Sequence, residues 1–510
     1  MSVVTIDRDD PRYTALKKGH NLRFPTTEAE APSRIVLCTS AGDCASALQR
    51  IVSEGIRPTI RSGGHCYEDF VANNPGGAIL DLSLHNLVGA EAGDRPYVIS
   101  PGAALGDVYQ VLYKRFGVTL PAGTCYRVGA GGHISGGGYG RLSRLHGLTS
   151  DWITGIDILT IDTNGRVVAR TIDKSHDPDL FLACRGAGGG NFGVITAFHF
   201  DRLPPAPREV ALANISIPWD TLNQESFTRL LVTFGEYWEG RGRAAETWGL
   251  SVVMTLGSRR TGHRINLDAQ FCNPDGTARD LTVLHEFFQR FREFDPAFAS
   301  IALPPSIAAR STQTTVPGDA QAGYPPVVRI PWLDAALSDP GGLATRGKYK
   351  STYMKRTFSA AECATLYELL ASQNARGFVL EVDGYGGAIN NSDRARDTAI
   401  VQRSSILKLQ WQCYWDDQKD DALHLKFMDD LYTAVYTGPH VSETHQGTPF
   451  GPGYEGCYMN YPDADLLRYP FWPQLYYGDL YPFLQEIKHR YDPHNIFHSS
   501  MSIRPLDAAG

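Results

Sequence analysis

A histidine and a cysteine in glycine-containing segments are the first candidates for chemistry. His65 follows Arg61–Gly64 in "RSGGHCYEDF", just after a short apolar run. The local sequence leaves four roles open for its imidazole: a hydrogen-bonded core group, a metal ligand, a catalytic base, or a covalent link to a cofactor. Cys125 lies farther along in "PAGTC", and its thiolate would be a nucleophile.

Two glycine-rich stretches, 121–153 and 186–196, could bring backbone amides close to a ligand. Amides without side chains in the way suit phosphate groups. Neither stretch matches a Rossmann fingerprint, because the third glycine is misplaced and no suitable acidic residue follows. Neither ends in the Gly-Lys-Ser/Thr of a P-loop. The alternative is a pair of mobile loops, but the patterned segments between the glycines favour a dinucleotide held by a fold of another kind.

Composition narrows the class of protein. A chain of 510 residues is long enough for two or three domains, and 42% hydrophobic with 20% charged residues is typical of soluble globular proteins. The net charge of −7 argues against a nucleic-acid or anionic-membrane partner. The nine cysteines lack zinc-site spacing, so no metal site is expected. With no signal-like N-terminus and no long apolar stretch, we expect a cytoplasmic location, with an extracellular one not excluded.

The predicted elements indicate an α+β fold. Strand, helix and strand are predicted from "RIVLCT" to "RPTIRSGGH", and a hairpin with a type I′ turn at Asn164-Gly165 follows. The proline-rich "LPPAPREV" marks a boundary near Leu203. Beyond it, strands and helices without regular alternation predict an antiparallel sheet covered by helices.

Five motifs, met in order between Arg34 and Ile503, resemble those of the berberine bridge enzyme-like oxidases of the vanillyl-alcohol oxidase superfamily. The motifs are "RSGGHCYEDF", "PAGTC" with "GHISGGGYGRLSRLHGLTSDWI", "RGAGGGNFGVIT", "CYMNYPD" and "YDPHNIF". The resemblance implies a PCMH-type FAD-binding domain of two α/β subdomains in residues 1–205, from about residue 30. It also implies a substrate domain in 206–445 and a C-terminal segment, 446–510, that returns to the FAD domain.

The resemblance also implies bicovalent FAD. In this family the histidine after RSGG bonds to the 8α-methyl carbon of the flavin, and in the bicovalent branch the cysteine of the PAGTC-like segment bonds to C6. These roles fall on His65 and Cys125, and we expect the glycine loop to favour the Cys125 thiolate. The other expected cofactor contacts are Arg61, Ser62, Gly63, Gly64, Gly129, Gly132, His133, Gly136, Gly137, Gly138, Gly140, Leu148, Asp151, Gly190, Asn191, Gly193, Val194, Asn460, Tyr461 and Asn495.

A tyrosine base is implied by the segment "GCYMNYPD". The role falls on Tyr458, and an extended segment would put Asn460 on the same face and Tyr461 on the other. A free tyrosine, with a pKa near 10, is a poor base at neutral pH. We therefore expect the hydroxyls of Tyr385 and Tyr139 to lie beside it and lower its pKa; the alternative for each is aromatic packing.

The substrate contacts implied by the resemblance are Tyr67, Gln412 and Asp383. In the plant alkaloid branch a glutamate base lies on the strand that matches "LKLQWQCYW". This strand has Gln410 and Gln412 and no glutamate, so a carboxylate base of that type is not expected.

Three functions are compatible with these residues and motifs. The first is an oxidase that removes hydride from an alcohol or hemiacetal carbon of a sugar, oligosaccharide or glycosylated natural product, and reduces O2 to H2O2. The second is a dehydrogenase or oxidative cyclase on a non-sugar secondary metabolite, and the third is a flavin-bearing binding protein without turnover. The expected partners are a small-molecule substrate and O2, without nucleic acid or membrane, and the chain is expected to be a monomer or weak homo-oligomer.

Overall fold

A computed structural model describes residues 3–90, 96–260, 264–294, 297–298, 325–371, 377–391, 393 and 397–506. Within these ranges no helix is long and apolar enough to cross a membrane. The described helices of four or more residues, 3-10 turns aside, are α1 (Tyr13–Leu16), α2 (Ala41–Ser53), α3 (Leu105–Phe116), α4 (Ala130–Ser135), α5 (Ser143–His146), α6 (Pro178–Cys184), α7 (Gln224–Glu239), α8 (Thr282–Gln289), α9 (Trp332–Ala336), α10 (Ala360–Ala371), α11 (Ala388–Asn391), α12 (Asp421–Val435), α13 (Trp472–Tyr477) and α14 (Tyr481–Tyr491).

The first sheet carries the predicted strand–helix–strand unit. Its strands are β1 (Val4–Asp7), β2 (Arg34–Leu37), β3 (Pro58–Arg61) and β4 (Ala78–Asp81), in the order β1-β2-β4-β3. β2, β4 and β3 are parallel, and α2 crosses between β2 and β3. The hydroxyl of Ser40 accepts the Asp43 N–H to begin α2, and Gly55, at φ +67°, follows its end. β3 thus delivers the His65 segment to the end of this sheet.

The second sheet contains the predicted hairpin, although its turn differs. The strands are β5 (Val88–Gly89), β6 (Tyr97–Ile99), β7 (Gly155–Ile161), β8 (Val167–Ile172) and β9 (Val194–Phe200), in the order β5-β6-β9-β7-β8. Between β7 and β8, Asp162 N–H donates to Arg166 O, and Gly165 N–H donates to Asp162 O. Gly165 has positive φ but Asn164 does not, so the predicted type I′ turn is wrong. The loop is a three-residue one that ends in a left-handed glycine.

The third sheet is antiparallel throughout. Its strands are β10 (Glu209–Pro218), β11 (Leu250–Gly257), β12 (Arg264–Phe271), β13 (Ala297–Phe298), β14 (Val328–Pro331), β15 (Arg346–Met354), β16 (Phe378–Gly384) and β17 (Leu407–Trp415). The order is β13-β10-β12-β11-β16-β17-β15, and β14 also pairs with β10. The change of sheet between Phe200 and Glu209 coincides with the proline-rich segment. This confirms the expected α+β fold with an antiparallel sheet.

The two faces of the third sheet have opposite chemistry. Along β17, Leu407, Leu409 and Trp411 enter the apolar core that α7, α10 and α12 also build. The residues between them, Lys408 and Gln410, point to the other side. β16 and β11 follow the same alternation, as expected for strands covered by helices on one face. A capping box begins α10: Glu362 N–H donates to the Ser359 hydroxyl, and Ser359 N–H donates to the Glu362 carboxylate.

A buried ion network ties three parts of the chain together. Lys348 and Lys350 of β15 each lie 2.7 Å from a carboxylate oxygen of Asp463, in the C-terminal segment. Lys348 also lies 2.7 Å from Glu68, just after the His65 segment. Lys350 binds Asp465 at 2.7 Å. Burial opposes ionisation, but the two ammonium groups hold the pKa of Asp465 well below its usual range.

We predict that Asp463→Asn strongly destabilises the fold. The Asp463 side chain is 1% exposed and both lysines are as deeply buried, so the change removes from two buried cations the carboxylate closest to both. Removing one partner of a buried ion pair costs about 3–5 kcal/mol. Urea unfolding measures this cost. Asp430→Asn, which breaks an exposed pair with Lys426, is the control and should cost no more than about 1 kcal/mol; equal costs for the two variants would contradict the prediction.

Candidate active site

A cavity of about 610 Å³ lies between the glycine loops and the polar face of the third sheet. One wall is made of the segments 61–67, 123–125, 129–133 and 188–191. The opposite wall is made of side chains from β11, β12, β16 and β17. The C-terminal segment closes one side with Tyr458, Asn460 and Tyr461.

Glycines make the first wall possible because two loops touch there backbone to backbone. A Cβ on Gly63 would lie 2.4 Å from Gly129 N, and one on Gly129 would lie 2.2 Å from Gly63 N. Gly64 has φ +75°, which other residues rarely adopt. Gly132 lines the cavity, and a Cβ there would meet no protein atom within 4 Å. The wall is thus a surface of main chain, as a dinucleotide phosphate site requires.

Side chains in this wall are used to hold the loops. The Arg61 guanidinium is buried against Asp81, with Nε 2.7 Å from the carboxylate, so only its backbone is available to a ligand. The Ser62 hydroxyl donates to Pro101 O at 2.5 Å. Asn191 donates from Nδ2 to Ala187 O. His133 accepts the Gly123 N–H on Nε2 at 3.0 Å, and burial lowers the pKa of His133 to about 4.

Several expected cofactor contacts do not line the cavity. These are Gly136, Gly137, Gly138, Leu148, Asp151, Val194 and Asn495. The space beside the three glycines is filled by protein: a Cβ on Gly136 would lie 2.0 Å from the Asn460 amide, and one on Gly138 would lie 2.5 Å from the Thr149 hydroxyl.

The other outlying residues serve the fold. Asp151 binds Arg403 at 2.7 Å and accepts the Leu148 N–H. Val194 belongs to an apolar core, and Asn495, at φ +48°, lies in the turn after α14. Gly140 and Gly193 line the cavity, although their Cβ positions are also blocked by backbone oxygens of Ala122 and Leu159.

His65 and Cys125 line the same cavity, but with different acid–base character. Burial, followed by the charges of His20 and Arg127, lowers the pKa of His65 to about 4, so its ring is neutral at physiological pH. Cys125 Sγ lies 3.5 Å from an Asp339 oxygen. Burial and that carboxylate raise the pKa of Cys125 to about 12. The expectation that the glycine loop favours the thiolate is therefore wrong, because burial and then the Asp339 carboxylate disfavour the charged form.

Tyr458 is buried, and several donors surround its hydroxyl. Asn460 Nδ2 donates to it at 3.1 Å, and the N–H groups of Gly138 and Tyr139 also bind it. Burial raises the pKa of Tyr458 to about 12, and these hydrogen bonds oppose that effect. The segment is a turn, with Tyr461 N–H on Tyr458 O at 2.9 Å, so Tyr461 also lines the cavity instead of facing away.

The two tyrosines expected beside Tyr458 occupy different surroundings. Tyr139 lines the cavity, and the Lys408 ammonium lies 4.4 Å from its ring centre. Tyr385 lies outside the cavity: its ring packs on Tyr353, and its hydroxyl donates to Gln402 O at 3.2 Å. The groups that donate hydrogen bonds to the Tyr458 hydroxyl are thus a side-chain amide and two backbone N–H groups, and not the two tyrosines that the sequence suggested.

The wall formed by the third sheet carries paired polar groups. Asp383 and Lys408 are cross-strand partners and form an ion pair at 2.8 Å. Tyr67 stacks on Tyr349 with ring centres 3.5 Å apart, and Gln410 hydrogen-bonds the Tyr67 hydroxyl. Gln412 lies on the same face of β17, where Tyr414 donates to its side-chain oxygen. No described group of three or more His, Cys, Asp or Glu residues is arranged to hold a metal ion.

Comparison with known proteins identifies the family. Residues 32–170 match the model of an FAD binding domain, and residues 457–504 match that described as berberine and berberine like. The aclacinomycin-N/aclacinomycin-A oxidase of Streptomyces galilaeus is 32% identical, over 99% of this chain and 90% of the relative. This chain belongs to the berberine bridge enzyme-like family of FAD-linked oxidases. It is an FAD-dependent oxidoreductase, and the resemblance carried by the five motifs is confirmed.

Other members of the family have the same extent and fold. Hexose oxidase of Chondrus crispus is 32% identical, over 98% of this chain and 94% of the relative. The crystal structure of aclacinomycin oxidoreductase superposes with a TM-score of 0.86 at 30% identity and covers 99% of this chain and all of the other. A glycopeptide hexose oxidase complexed with teicoplanin gives 0.84 at 30% identity, with 99% of each chain covered.

Four cavity residues were not expected from the sequence: Lys408, Glu381, His20 and Asp339. Burial, then the charge of Asp383, raises the pKa of Glu381, whose carboxyl is hydrogen-bonded by Gln412. The alternation of β16 and β17 was the available signal, since Glu381 shares a face with Asp383 and Lys408 with Gln412. No comparable pattern marks His20 or Asp339.

We predict that Gly132→Val prevents FAD incorporation. No protein atom lies within 4 Å of a Cβ at this position, so the variant would fold normally, but its branched side chain would occupy cavity space that the cofactor needs. The ratio of flavin to protein absorbance after purification measures the effect. Gly42→Val, a glycine in α2 that is also without close neighbours but does not line the cavity, is the control and should bind FAD fully. Full FAD content in Gly132→Val would contradict this placement of the cofactor.

Proposed function

We propose that this oxidase carries FAD on two covalent links and removes hydride from an alcohol or hemiacetal carbon of a sugar-bearing substrate. In this proposal residues 1–205 hold the cofactor, 206–445 supply the substrate wall, and 446–510 return the catalytic tyrosine to the flavin side. The supporting observation is the Tyr458 hydroxyl, which lies at the cavity with three hydrogen-bond donors around it. A phenolate there would be stabilised by every one of them.

Tyr458 is proposed to take the substrate hydroxyl proton. A positioned base of this kind typically contributes about 10²- to 10⁴-fold to a rate. FAD, when bound, supplies the hydride acceptor and passes the electrons to O2, which leaves as H2O2. Asn460 orients the tyrosine, because its Nδ2 bridges the Tyr458 hydroxyl and His133 O, 3.0 Å away.

Lys408 supplies the positive charge on the substrate side. Its ammonium lies 4.4 Å from the ring centre of Tyr139, 4.6 Å from that of Tyr461 and 5.8 Å from that of Tyr458. A cation at these distances favours a phenolate over a phenol. Asp383 holds the ammonium in place at 2.8 Å. We propose the Lys408 ammonium as electrostatic support of the tyrosine base, in the role first expected of neighbouring hydroxyls. Asp383 fixes its position but opposes a phenolate, since burial and then the Asp383 charge raise the pKa of Tyr139.

A sugar or glycosylated substrate suits the opposite wall. Gln410, Gln412 and Glu381 present both donors and acceptors over one sheet face, as recognition of several hydroxyls requires. The names of three relatives point to such substrates: hexose oxidase, chitooligosaccharide oxidase and aclacinomycin oxidase. The stacked pair of Tyr67 and Tyr349 offers an aromatic surface beside these groups.

That aromatic surface also favours the second candidate, oxidation of a non-sugar secondary metabolite. A peroxide-coupled screen separates the two. Mono- and oligosaccharides form one arm, glycosylated polyketides the second, and the matching aglycones the third. Turnover with peroxide in the first or second arm and not in the third supports the sugar carbon as the site of oxidation. Turnover of the aglycones alone would support the alternative.

We predict that FAD stays on the chain after denaturation. Two links, at His65 and Cys125, are expected, so His65→Ala and Cys125→Ala should each retain flavin through the other link, and the double variant should lose it. Intact mass after acid denaturation measures attachment. A parent mass equal to that of the bare polypeptide would overturn both links, and loss of all flavin in one single variant would reduce the number to one.

We predict that Tyr458→Phe slows flavin reduction by about 10²- to 10⁴-fold. Only the hydroxyl is lost, so FAD content and the reaction of reduced enzyme with O2 should not change. Because the phenolate is the reactive form and burial holds the pKa of Tyr458 high, the parent rate should rise with pH, and this rise should disappear in the variant. Rapid-mixing kinetics measure both effects. Tyr385→Phe, which loses a buried hydroxyl outside the cavity, is the control; the same loss there, or none in Tyr458→Phe, would remove Tyr458 from the role.

A further inference from the structure

The segment Gly19–Leu22, here called the strap, joins the His65 loop to the third sheet. His20 N–H donates to Gly64 O at 2.8 Å. On the other side, Thr345 N–H donates to His20 O at 3.2 Å, and Leu22 N–H donates to Thr345 O at 2.9 Å. The strap therefore lies against the residue before the proposed tether and pairs with the chain that leads into β15.

Two further contacts hold the strap in register. Asn21 Nδ2 donates to Tyr67 O at 2.8 Å and to Gly347 O at 3.0 Å, and its side-chain oxygen accepts the Gly347 N–H. A Cβ on Gly19 would lie 2.6 Å from Gly64 O, so the approach to the His65 loop requires a glycine. The strap is thus fixed by backbone on both sides.

The imidazole of His20 lies on that of His65. The ring centres are 4.4 Å apart and the planes differ by 22°. His20 Nε2 lies 2.9 Å from Gly342 O, and since a carbonyl only accepts, Nε2 carries the hydrogen. Its Nδ1 is buried and has no hydrogen-bond partner among the described residues. The plane of His20 is therefore set by a backbone carbonyl, and that plane supports the ring of His65.

The loop that holds His20 also borders the second proposed tether. Gly341, next to the Gly342 carbonyl, lies so that a Cβ would be 3.5 Å from the Cβ of Cys125. Asp339 of the same loop contacts Cys125 Sγ at 3.5 Å. The two tether residues thus meet a common support, in which His20 touches the His65 side and Asp339 the Cys125 side.

We infer that His20 is a positioning residue for covalent attachment of FAD to His65, and this rests on the proposed His65 link. A ring nitrogen forms a bond only along its in-plane lone pair, so rotation of a free imidazole would carry it out of line. Stacking on His20 limits this rotation. Neutral His65 has the lone pair available, in accord with its lowered pKa.

A bond forms between a His65 ring nitrogen and the 8α-carbon of the flavin, while one C–H bond of the methyl group and the imidazole N–H bond break. The two hydrogens with their two electrons reduce the flavin ring, and O2, the oxidant of this oxidase, takes them up as H2O2. His20 contributes orientation only and exchanges no atom.

Attachment in a Cys125→Ala background isolates the His65 link. Full-length protein from flavin-limited cells is mixed with FAD in air, and the covalently flavinylated fraction is followed by intact mass after acid quenching. We expect His20→Ala to slow attachment by about 10- to 100-fold, as for a misoriented reacting group. His20→Phe keeps a flat stacking partner but loses the bond to Gly342 O, so it should restore most, and not all, of the lost rate. His85→Ala, which removes an imidazole bound to a backbone carbonyl outside the cavity, should leave it unchanged.

Each outcome decides the inference. Rescue by phenylalanine and not by alanine supports positioning through the stacked ring. Parent-like attachment in His20→Ala overturns it, as does equal slowing in the alanine and phenylalanine variants with FAD binding intact. If His20→Ala fails to fold, slow attachment in a folded His20→Phe would by itself contradict the inference. Absence of covalent flavin in the Cys125→Ala parent would instead overturn the His65 link in the proposed function.

Discussion

The shared carboxylate of Asp463 is the interaction on which the rest of the site depends. It pairs with both Lys348 and Lys350 of β15, and Asp465 and Glu68 supply the further carboxylates of the network. Ions this deep in protein are tolerated only when paired and hydrogen-bonded. The network therefore holds the C-terminal segment, the third sheet and the glycine loops in one arrangement. Tyr458 and Tyr461 lie a few residues before Asp463 and face the cavity from that anchor.

Close contacts between backbones also hold the loops of the cavity wall together. The contact of Gly63 with Gly129 and that of Gly19 with Gly64 leave no room for a Cβ. These positions join segments far apart in the chain into one wall. The glycines that follow in 136–138 have a different task, because they leave space for Asn460, Ile400 and Thr149. One sequence motif thus contains glycines that face the cavity and glycines that pack the protein.

The sequence supported the fold and the general site, but not the local geometry. Periodicity predicted α2, the β7–β8 hairpin and, in the third sheet, β11, β12, β16 and β17, because these follow from residue pattern alone. The motifs brought His65, Cys125 and Tyr458 to one cavity as expected. Three local features were missed: the turn at Tyr458, the Asp339 carboxylate beside Cys125 and the buried position of Tyr385 outside the cavity. The last two depend on contacts between distant segments, which neither propensity nor family motif encodes. The turn depends on the local bond from Tyr461 N–H to Tyr458 O. His20 was missed because it precedes every quoted motif.

The alternation along β16 and β17 separates two kinds of mutational consequence. A change at Leu409 or Trp411 alters the packing on the helices, whereas a change at Gln410 or Gln412 alters the chemistry met by a ligand. Adjacent residues of these strands are therefore under different selection: the core-facing residue for folding, and the cavity-facing residue for substrate range. A lineage can redesign half of each strand while the other half preserves the scaffold. In such a sheet, divergence is expected to accumulate with a period of two residues.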